Sequence, residues 1–322
     1  MVSRFSLTSN SCVVEVAAND GYLLQYVQQA GINCYGIEPT NSTANAARSK
    51  GIDIVENFFG VALALELVKA NRQADLMVAN NVLAHVPDIN DFVAGFNCLL
   101  KPQGIATFEF PHLLRMVQAN QFDTAYHEHY SYLSLTAVQR IFEANGLEVF
   151  DVEELPTHGG SLRIFAQRLS TGTQKKSVAV AKTLQFEANS GVGSANFYKE
   201  FQQKSVKVKE DLVLFLIDAK RRGLKVGAYG AAAKGNTLIN FAGIRPDLLP
   251  YVVDRNPAKQ GKFMPGSKIP ILAEAHLKSD KPNLILILPW NLRTEVMVQL
   301  KYASDWGAQF LTAVPELELI KA

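Results

Sequence analysis

Short apolar runs rich in β-branched residues alternate with amphipathic stretches along the first part of the chain. The apolar runs predict strands, and the stretches between them carry apolar residues at helical spacing. The predicted strands are Cys12–Ala17, Asn33–Ile37, Ile52–Val55, Ala74–Ala79 and Gly104–Phe110. The predicted helices are Tyr22–Ala30, Thr43–Lys50, Val61–Asn71 and Asp91–Leu99. This alternation is typical of a parallel sheet covered by helices.

The pattern changes after the fifth predicted strand. A long loop leads to a predicted helix over Leu135–Asn145 and then to two strands, Leu147–Val152 and Ser161–Gln167. Gly159 and Gly160 between these strands predict a hairpin-like reversal, so the last strand is expected to run antiparallel. Five parallel strands, a sixth and an antiparallel seventh together predict one α/β domain over residues 1–168.

The rest of the chain divides at about residue 223. Residues 169–222 are polar and then helical, and their aromatic residues fall among aliphatic ones, which favours a helical linker with a packing face over a nucleic-acid surface. The β/α alternation then restarts, which predicts a second Rossmann-like α/β domain over residues 223–322. Its predicted strands are Lys225–Tyr229, Tyr251–Asp254, Leu284–Leu288 and Gln309–Val314, with a helix through Asn240 after the first.

Composition limits the class of protein. A chain of 322 residues that is 48% hydrophobic and 19% charged is globular and long enough for two domains, which excludes disorder and collagen. Cys12, Cys34 and Cys98 lack CxxC spacing, so they form neither a zinc finger nor a disulfide framework. No run of about 18 apolar residues and no signal-peptide pattern occurs, so we expect a cytoplasmic location without a membrane partner.

The net charge of +2 hides an uneven distribution. Residues 1–168 carry 10 Lys and Arg against 17 Asp and Glu, a net charge of −7, whereas residues 169–322 carry 22 against 13, a net charge of +9. An anionic ligand is therefore expected to prefer the second half.

The first strand runs into a turn of small residues, Glu15–Gly21, and Glu38 ends the next strand. Such a turn lets the backbone approach a nucleoside, and an acid at the tip of the second strand accepts hydrogen bonds from ribose hydroxyls. Ala17 and Asn19 occupy the first two glycine positions of a dinucleotide motif, and Asp20 adds a negative charge, which disfavours a pyrophosphate. The acids are compatible with a cationic ligand such as S-adenosylmethionine; a tight turn without a ligand is the alternative.

These elements resemble S-adenosylmethionine-dependent C-methyltransferases that act on nucleotide-linked keto-deoxysugars. The resemblance covers nearly the whole chain, and its most specific motif is the Tyr-His-Glu-His run. The matching runs are Glu15–Gly21, Gly36–Pro39, Asn80–His85, Tyr126–Tyr130, Gly227–Ala231, Lys234–Asn236, Asp254–Pro257 and Pro265–Gly266. The resemblance implies a class I methyltransferase domain at residues 1–168, with Asn80 among the residues that bind the cofactor.

Five of the six histidines fall between residues 85 and 158, which indicates chemistry in this part of the chain. Asn81 and His85 follow the fourth strand, and the run that contains Tyr126 follows the fifth, so both lie at the carboxyl edge of the sheet. Methylation of a carbon next to a ketone needs a base near neutral pKa and donors for the enolate oxygen, and histidine and tyrosine suit these roles.

The resemblance implies that His129 is the base or lies in its hydrogen-bond network. Tyr126, Glu128, His85 and Asn81 complete the implied site, and Tyr126 remains an alternative acceptor of the proton. The other histidines of this region, His112, His127 and His158, are expected to have ordinary structural roles. The His127–His129 run lacks the i,i+4 spacing of a helical zinc site, so no metal is expected.

The predicted second domain opens with a glycine-rich turn before a helix, Gly227–Thr237. The order of Lys234 and Gly235 excludes a Walker motif, but amides at a helix start plus a lysine can bind an anion. We expect Lys234, Tyr229 and Asn236 to contact the diphosphate of a nucleotide-sugar acceptor. A turn whose glycines serve only helix–strand packing is an equal alternative.

Members of the family usually begin with a cysteine-rich zinc-binding segment that helps to cover the acceptor. The first predicted strand here starts at residue 12 without such a segment, so the chain is a fragment, or a partner supplies the cover, or the acceptor is covered differently. Methylation of oxygen or nitrogen on another small molecule and a catalytically silent binding subunit are the alternative functions. An NAD-dependent oxidoreductase is disfavoured because the G-x-G-x-x-G motif is missing.

Overall fold

A computed structural model describes residues 1–321 of the chain, which form two compact units. The first unit comprises Met1–Leu114 and Glu128–Gly193. The second comprises Arg115–His127 and residues 194–321. The segment Arg115–His127 thus belongs to the second unit, although it lies in the sequence between the fifth and sixth strands of the first.

The first unit contains a seven-stranded sheet in the order β3-β2-β1-β4-β5-β7-β6. Its strands are β1 (Cys12–Val16), β2 (Asn33–Ile37), β3 (Ile54–Val55), β4 (Ala74–Asn80), β5 (Leu100–Pro111), β6 (Leu147–Leu155) and β7 (Ser161–Arg168). Strands β1 to β5 are parallel, and β7 is antiparallel to both β5 and β6. This order with an antiparallel seventh strand is the class I methyltransferase topology, so the predicted fold class is confirmed.

Seven helices begin in the first unit. They are α1 (Leu24–Gln29), α2 (Asn41–Ser49), α3 (Val61–Lys69), α4 (Ile89–Leu99), α5 (Leu113–Gln118), α6 (Leu135–Ala144) and α7 (Val178–Ser190). A 3-10 turn over Leu83–His85 follows β4. Side chains fix two of the helix starts: Asp88 accepts a hydrogen bond from Asp91 N at α4, and Ser134 accepts one from Ala137 N at α6.

Apolar side chains pack on both faces of this sheet. Val13 and Val14 are successive residues of β1 and belong to different buried clusters, because side chains alternate between the faces of a strand. On one face Phe108 stacks between Phe96 and Phe142, with ring centroids 4.5 and 4.8 Å apart. A sheet buried on both faces leaves its carboxyl edge as the place for polar chemistry.

The second unit has a six-stranded sheet in the order β10-β9-β8-β11-β12-β13. Its strands are β8 (Val226–Tyr229), β9 (Val252–Val253), β10 (Ile271–Leu272), β11 (Leu284–Ile287), β12 (Gln309–Thr312) and β13 (Glu318–Lys321). Its helices are α8 (Ala195–Tyr198), α9 (Phe201–Arg221), α10 (Ala233–Phe241), α11 (Ala275–Asp280) and α12 (Arg293–Gln299). The 3-10 turns Phe122–Thr124, Trp290–Leu292 and Lys301–Trp306 belong to this unit too.

The helices of the predicted linker pack on different units. Helix α7 lies on the first unit, where Val180 is fully buried, and α9 buries Leu212 and Leu216 in the core of the second. The second sheet also gains strands β10 and β13, which sequence periodicity did not predict. Within residues 1–321 no helix has both the length and the apolar character needed to span a membrane.

Candidate functional site

The turn after β1 has an unusual backbone. Ala17 and Asn19 have φ values of 59° and 51°, in the left-handed region that residues with a Cβ rarely adopt, and Gly21 has a φ of 74°. Two non-glycine residues held in this region mark the turn as a place where backbone strain is retained, which is common at ligand sites.

Glu38 is tied to this turn. Its Oε2 accepts a hydrogen bond from Asn19 N at 3.0 Å, its Oε1 accepts one from Thr40 N at 2.9 Å, and the residue is only 7% exposed. The turn approaches β2 closely, because a Cβ added at Gly36 would lie 2.5 Å from Ala18 Cβ. The carboxylate is therefore fixed beside the turn with lone pairs left for further donors.

Glu15 lies in the same part of the sheet and is 7% exposed. Its Oε2 is buried and has no hydrogen-bond partner among the described residues. Burial raises the pKa of this carboxyl to about 8, and the nearby negative charge of Asp20 adds to the shift. A buried carboxylate without a partner is unfavourable in the free protein and suits a cationic ligand.

Asp20, unlike Glu15, has a charged partner. Its carboxylate forms an ion pair with Lys50 Nζ at 2.7 Å and remains partly exposed, and this hydrogen bond lowers its pKa. Asn80 ends β4 and lies opposite Glu109 of β5. Together Glu15, Glu38 and the amides of the turn can accommodate a ligand that has an ammonium group and a ribose, as S-adenosylmethionine does.

The structure brings His85 and His129 together within the first unit. Their rings meet edge to face with centroids 4.6 Å apart, and the His129 ring lies 5.9 Å from that of Tyr132. His85 ends the 3-10 turn after β4, and Tyr130 N and Ser131 N both donate to Ala84 O, the residue before it. The loop of His129 is thus hydrogen-bonded to the turn that carries His85.

Asn81 is the first residue after β4 and has a φ of 54°. Its backbone N–H donates to Glu109 O at 2.7 Å, and its Oδ1 is buried without a partner among the described residues. A strained backbone and an unsatisfied amide oxygen occur here at the carboxyl edge of the sheet, which is where the predicted site lies.

The structure distributes the Tyr-His-Glu-His run over both units. Tyr126 and His127 belong to the second unit, and Glu128 and His129 belong to the first. Glu128 is exposed, and Tyr126 is half-buried with its N–H bonded to Thr124 O.

Sequence reasoning missed one buried polar pair. His112 Nε2 lies 2.7 Å from Glu187 Oε1, and both side chains are 1% exposed. His112 was expected to have an ordinary role, and Glu187 lies in the predicted linker. Nothing local in the sequence connects two residues 75 positions apart.

In the second unit, the glycines of the turn after β8 pack closely against neighbours. A Cβ at Gly230, whose φ is 97°, would lie 2.5 Å from Pro289 Cδ, and one at Gly235 would lie 2.7 Å from Leu288 Cβ. Close packing against Leu288 and Pro289, the two residues after β11, therefore accounts for both glycines. Helix α10 starts without a side-chain hydrogen bond at its N-cap.

Lys234 is half-buried and lies in a cluster with Trp290 and the fully buried Asp123. Its Nζ is 4.7 Å from the ring centroid of Trp290, whose Nε1 donates to Asp123 Oδ2 at 2.7 Å. Burial lowers the pKa of Lys234, although the negative charge of Asp123 acts to raise it. Burial also raises the pKa of Asp123 to about 6, although the Lys234 charge and the Trp290 hydrogen bond act to lower it.

The other two residues predicted to bind the acceptor lie near the same end of the second sheet. Tyr229 ends β8, and its hydroxyl accepts a hydrogen bond from Gln299 Nε2 at 2.7 Å. Asn236 lies in the first turn of α10, and its Oδ1 is buried without a partner among the described residues. Residues 1–321 contain no group of three or more His, Cys, Asp or Glu side chains arranged to hold a metal ion.

Both parts of the chain match models of protein families. Residues 1–152 match a methyltransferase domain, and residues 156–315 match a C-methyltransferase C-terminal domain. The C-methyltransferase NovU of Streptomyces niveus is 32% identical over 321 residues, which cover 100% of this chain and 76% of NovU.

Solved structures resemble about half of the chain. An S-adenosylmethionine dependent methyltransferase from Mesorhizobium loti is 14% identical and covers 51% of this chain and 95% of its own, with a TM-score of 0.41. Magnesium protoporphyrin IX methyltransferase (ChlM) from Synechocystis PCC 6803 is 15% identical and covers 52% of this chain and 76% of its own, with a TM-score of 0.39.

Proposed function

Because the chain belongs to the C-methyltransferase family, we propose that it methylates a carbon next to a ketone of a nucleotide-linked deoxysugar, through an enolate. The observation that carries this proposal is the edge-to-face contact of His85 and His129 at 4.6 Å. Of two imidazoles in contact, one can accept a proton while the other donates a hydrogen bond to an enolate oxygen.

The methyl donor is S-adenosylmethionine, which supplies an electrophilic methyl group when bound. Glu38 accepts hydrogen bonds from its ribose hydroxyls, and the strained turn at Asn19 brings backbone amides next to the nucleoside. The Glu15 carboxylate pairs with its ammonium group, which explains why one carboxyl oxygen is buried without a partner in the protein alone. Asn80 and Gly21 complete the donor site.

His129 acts on the acceptor as the general base. Its imidazole removes the proton from the carbon next to the ketone, and the electrons of that C–H bond form the enolate. His85 donates a hydrogen bond to the enolate oxygen, and Asn81 presents its amide at the same edge. The carbon then takes the methyl group, and the bonding pair of the broken S–CH3 bond stays on sulfur.

The anionic part of the acceptor is assigned to the turn of the second unit. The uncapped start of α10 offers amides to a phosphate, and the unpartnered Oδ1 of Asn236 can accept a hydrogen bond from the nucleotide. Lys234 supplies positive charge, and Tyr229 supplies a hydroxyl. Residues 223–322 carry 12 basic against 8 acidic residues, a net charge of +4, which agrees with an anionic ligand.

The proposal is tested with a panel of nucleoside-diphosphate keto-deoxysugars and S-adenosylmethionine labelled in its methyl group. With a 13C-labelled methyl group, the expected product gives an NMR methyl signal in the chemical-shift range of a methyl group on carbon. Label on oxygen or nitrogen would overturn the enolate route while leaving methyl transfer intact.

A further inference from the structure

Glu187 of α7 is a carboxylate in a buried position, with a side chain that is 1% exposed. Its Oε1 accepts hydrogen bonds from His112 Nε2 at 2.7 Å and Leu135 N at 2.6 Å. Its Oε2 accepts them from Thr136 N at 2.8 Å and Thr136 Oγ1 at 2.6 Å. Burial acts to raise its pKa, but these hydrogen bonds, led by that from His112, hold the pKa below its ordinary value. Because Glu187 is ionised, His112 Nε2 is the donor of their bond.

Two of these donors are the first amides of α6. Leu135 and Thr136 open the helix, where backbone N–H groups have no partner within the helix itself. A negative charge at a helix N-terminus is favourable, so Glu187 fixes the position at which α6 begins. His129 precedes that position by only six residues.

The segment between His129 and α6 is hydrogen-bonded to residues next to His112 and His85. Leu133 O accepts a bond from Leu113 N at 2.9 Å, and Leu133 pairs with His112 in a single parallel bridge. His112 therefore touches the segment through its backbone and holds Glu187 through its ring. At its other end the segment is bonded to Ala84 O, next to His85.

We propose that Glu187 and His112 are positioning residues that hold the His129 imidazole against His85. Replacing the Glu187 carboxylate with an amide removes its charge and one of the two oxygens that accept from these four donors, so α6 and the segment before it shift. A displacement of about 1 Å in a reacting group can cost on the order of 100-fold in rate. The inference rests on the proposed function for the chemistry of His129, but the placement of the ring can be measured separately.

The test measures the two rings directly in the full chain labelled with 15N-histidine, with signals assigned from single His→Gln variants. In Glu187→Gln we expect the imidazole signals of His129 and His85 to shift or split, while those of His127 and His276 stay in place. Val180→Ala is the matched control, because it truncates a fully buried residue of the same helix without touching these hydrogen bonds. It is expected to lower the unfolding temperature and leave both signals unchanged.

Unchanged His129 and His85 signals in Glu187→Gln, or an equal shift in Val180→Ala, would overturn the proposal. If Glu187→Gln does not fold, Thr136→Val tests the proposal instead, because it removes one hydrogen-bond donor and keeps the carboxylate. The same two signals should then shift at a nearly unchanged unfolding temperature, and their constancy would contradict the proposal.

A kinetic measurement separates this inference from the proposed function. In the folded variant we expect kcat for methyl transfer to fall at least tenfold, with the Kd for S-adenosylmethionine within twofold of wild type. A wild type that transfers no methyl group to carbon defeats the proposed function and leaves the ring measurement valid. A variant with wild-type kcat defeats only the positioning role.

Discussion

The rings of His85 and His129 lie edge to face at 4.6 Å, although the two residues come from separate loops 44 positions apart in the sequence. Their backbones are linked through Ala84 O, which accepts hydrogen bonds from Tyr130 N and Ser131 N at 2.8 and 3.2 Å. The contact therefore depends on the backbone as well as on the side chains.

We expect His129→Gln to lower kcat for methyl transfer by about 10²- to 10⁴-fold, which is the range for loss of a general base. His85→Gln should lower it less, because an amide can still donate a hydrogen bond to an enolate oxygen. The Kd for S-adenosylmethionine, measured by calorimetry, should stay within twofold in both variants. His127→Gln is the control, since that exposed residue lies two positions away. Equal losses in His127→Gln and His129→Gln would count against a specific role for His129.

Binding of S-adenosylmethionine should release a proton from Glu15. The pKa of this carboxyl is raised from 4.5 to about 8, so at pH 7 the group is mostly protonated in the free protein. A ligand ammonium favours the ionised form, so the affinity should rise with pH up to about pH 8 and then level off. Calorimetry at pH 7 in two buffers of different ionisation enthalpy measures the proton count.

We expect wild type to release close to one proton more than Glu15→Gln for each ligand bound. Glu66→Gln, at an exposed position of α3, should behave as wild type does. Proton counts that agree between wild type and Glu15→Gln would show that Glu15 does not pair with the ammonium group.

Gly36→Ala should destabilise the first unit. The new Cβ would lie 2.5 Å from Ala18 Cβ and 2.6 Å from Ile54 Cδ1, so either the turn after β1 or strand β3 must move. Overpacking of this kind costs about 1–3 kcal/mol in the free energy of unfolding, measured in urea. Gly193→Ala, where an added Cβ meets no atom within 4 Å, should change it by less than about 1 kcal/mol. Similar values for the two variants would contradict the close approach of the turn to β2.

The variant Lys234→Met tests whether Lys234 binds the acceptor or only balances the charge of Asp123. If Lys234 binds the acceptor diphosphate, the acceptor KM should rise at least tenfold. Loss of the ammonium also raises the pKa of Asp123 further above its ordinary value of 3.8. Because the folded state then disfavours the ionised carboxyl, the loss of stability should be absent below about pH 4 and should grow as the pH rises through the folded pKa.

The double variant Asp123→Asn/Lys234→Met removes both charges, so it should recover most of the unfolding temperature. Its acceptor KM should remain high, because the ammonium is still missing. A wild-type KM in either variant would assign Lys234 to the Asp123–Trp290 cluster alone.

Local patterns predicted the sheet of the first unit and the turn after β1, because a strand, a turn and a strand-tip acid are close in sequence. Strands β10 and β13 were not predicted because their hydrophobic periodicity is weak. Strand β10 has two residues, and β13 is a short edge strand whose residues are mostly exposed. The pair of His112 and Glu187 gives no local signal, since it depends on how α7 packs. The division of Tyr126 and His129 between the units follows from the path of Arg115–His127, which hydrophobic periodicity does not encode.

Exchange of the acceptor proton tests the enolate route most directly. The protein is incubated in D2O with a nucleoside-diphosphate keto-deoxysugar that it methylates, and S-adenosylhomocysteine fills the donor site so that no methyl transfer occurs. Wild type should introduce deuterium at the carbon next to the ketone, and His129→Gln should do so at least 100-fold more slowly. Absence of exchange in wild type, or equal exchange in His129→Gln, would contradict proton removal by the His85–His129 pair.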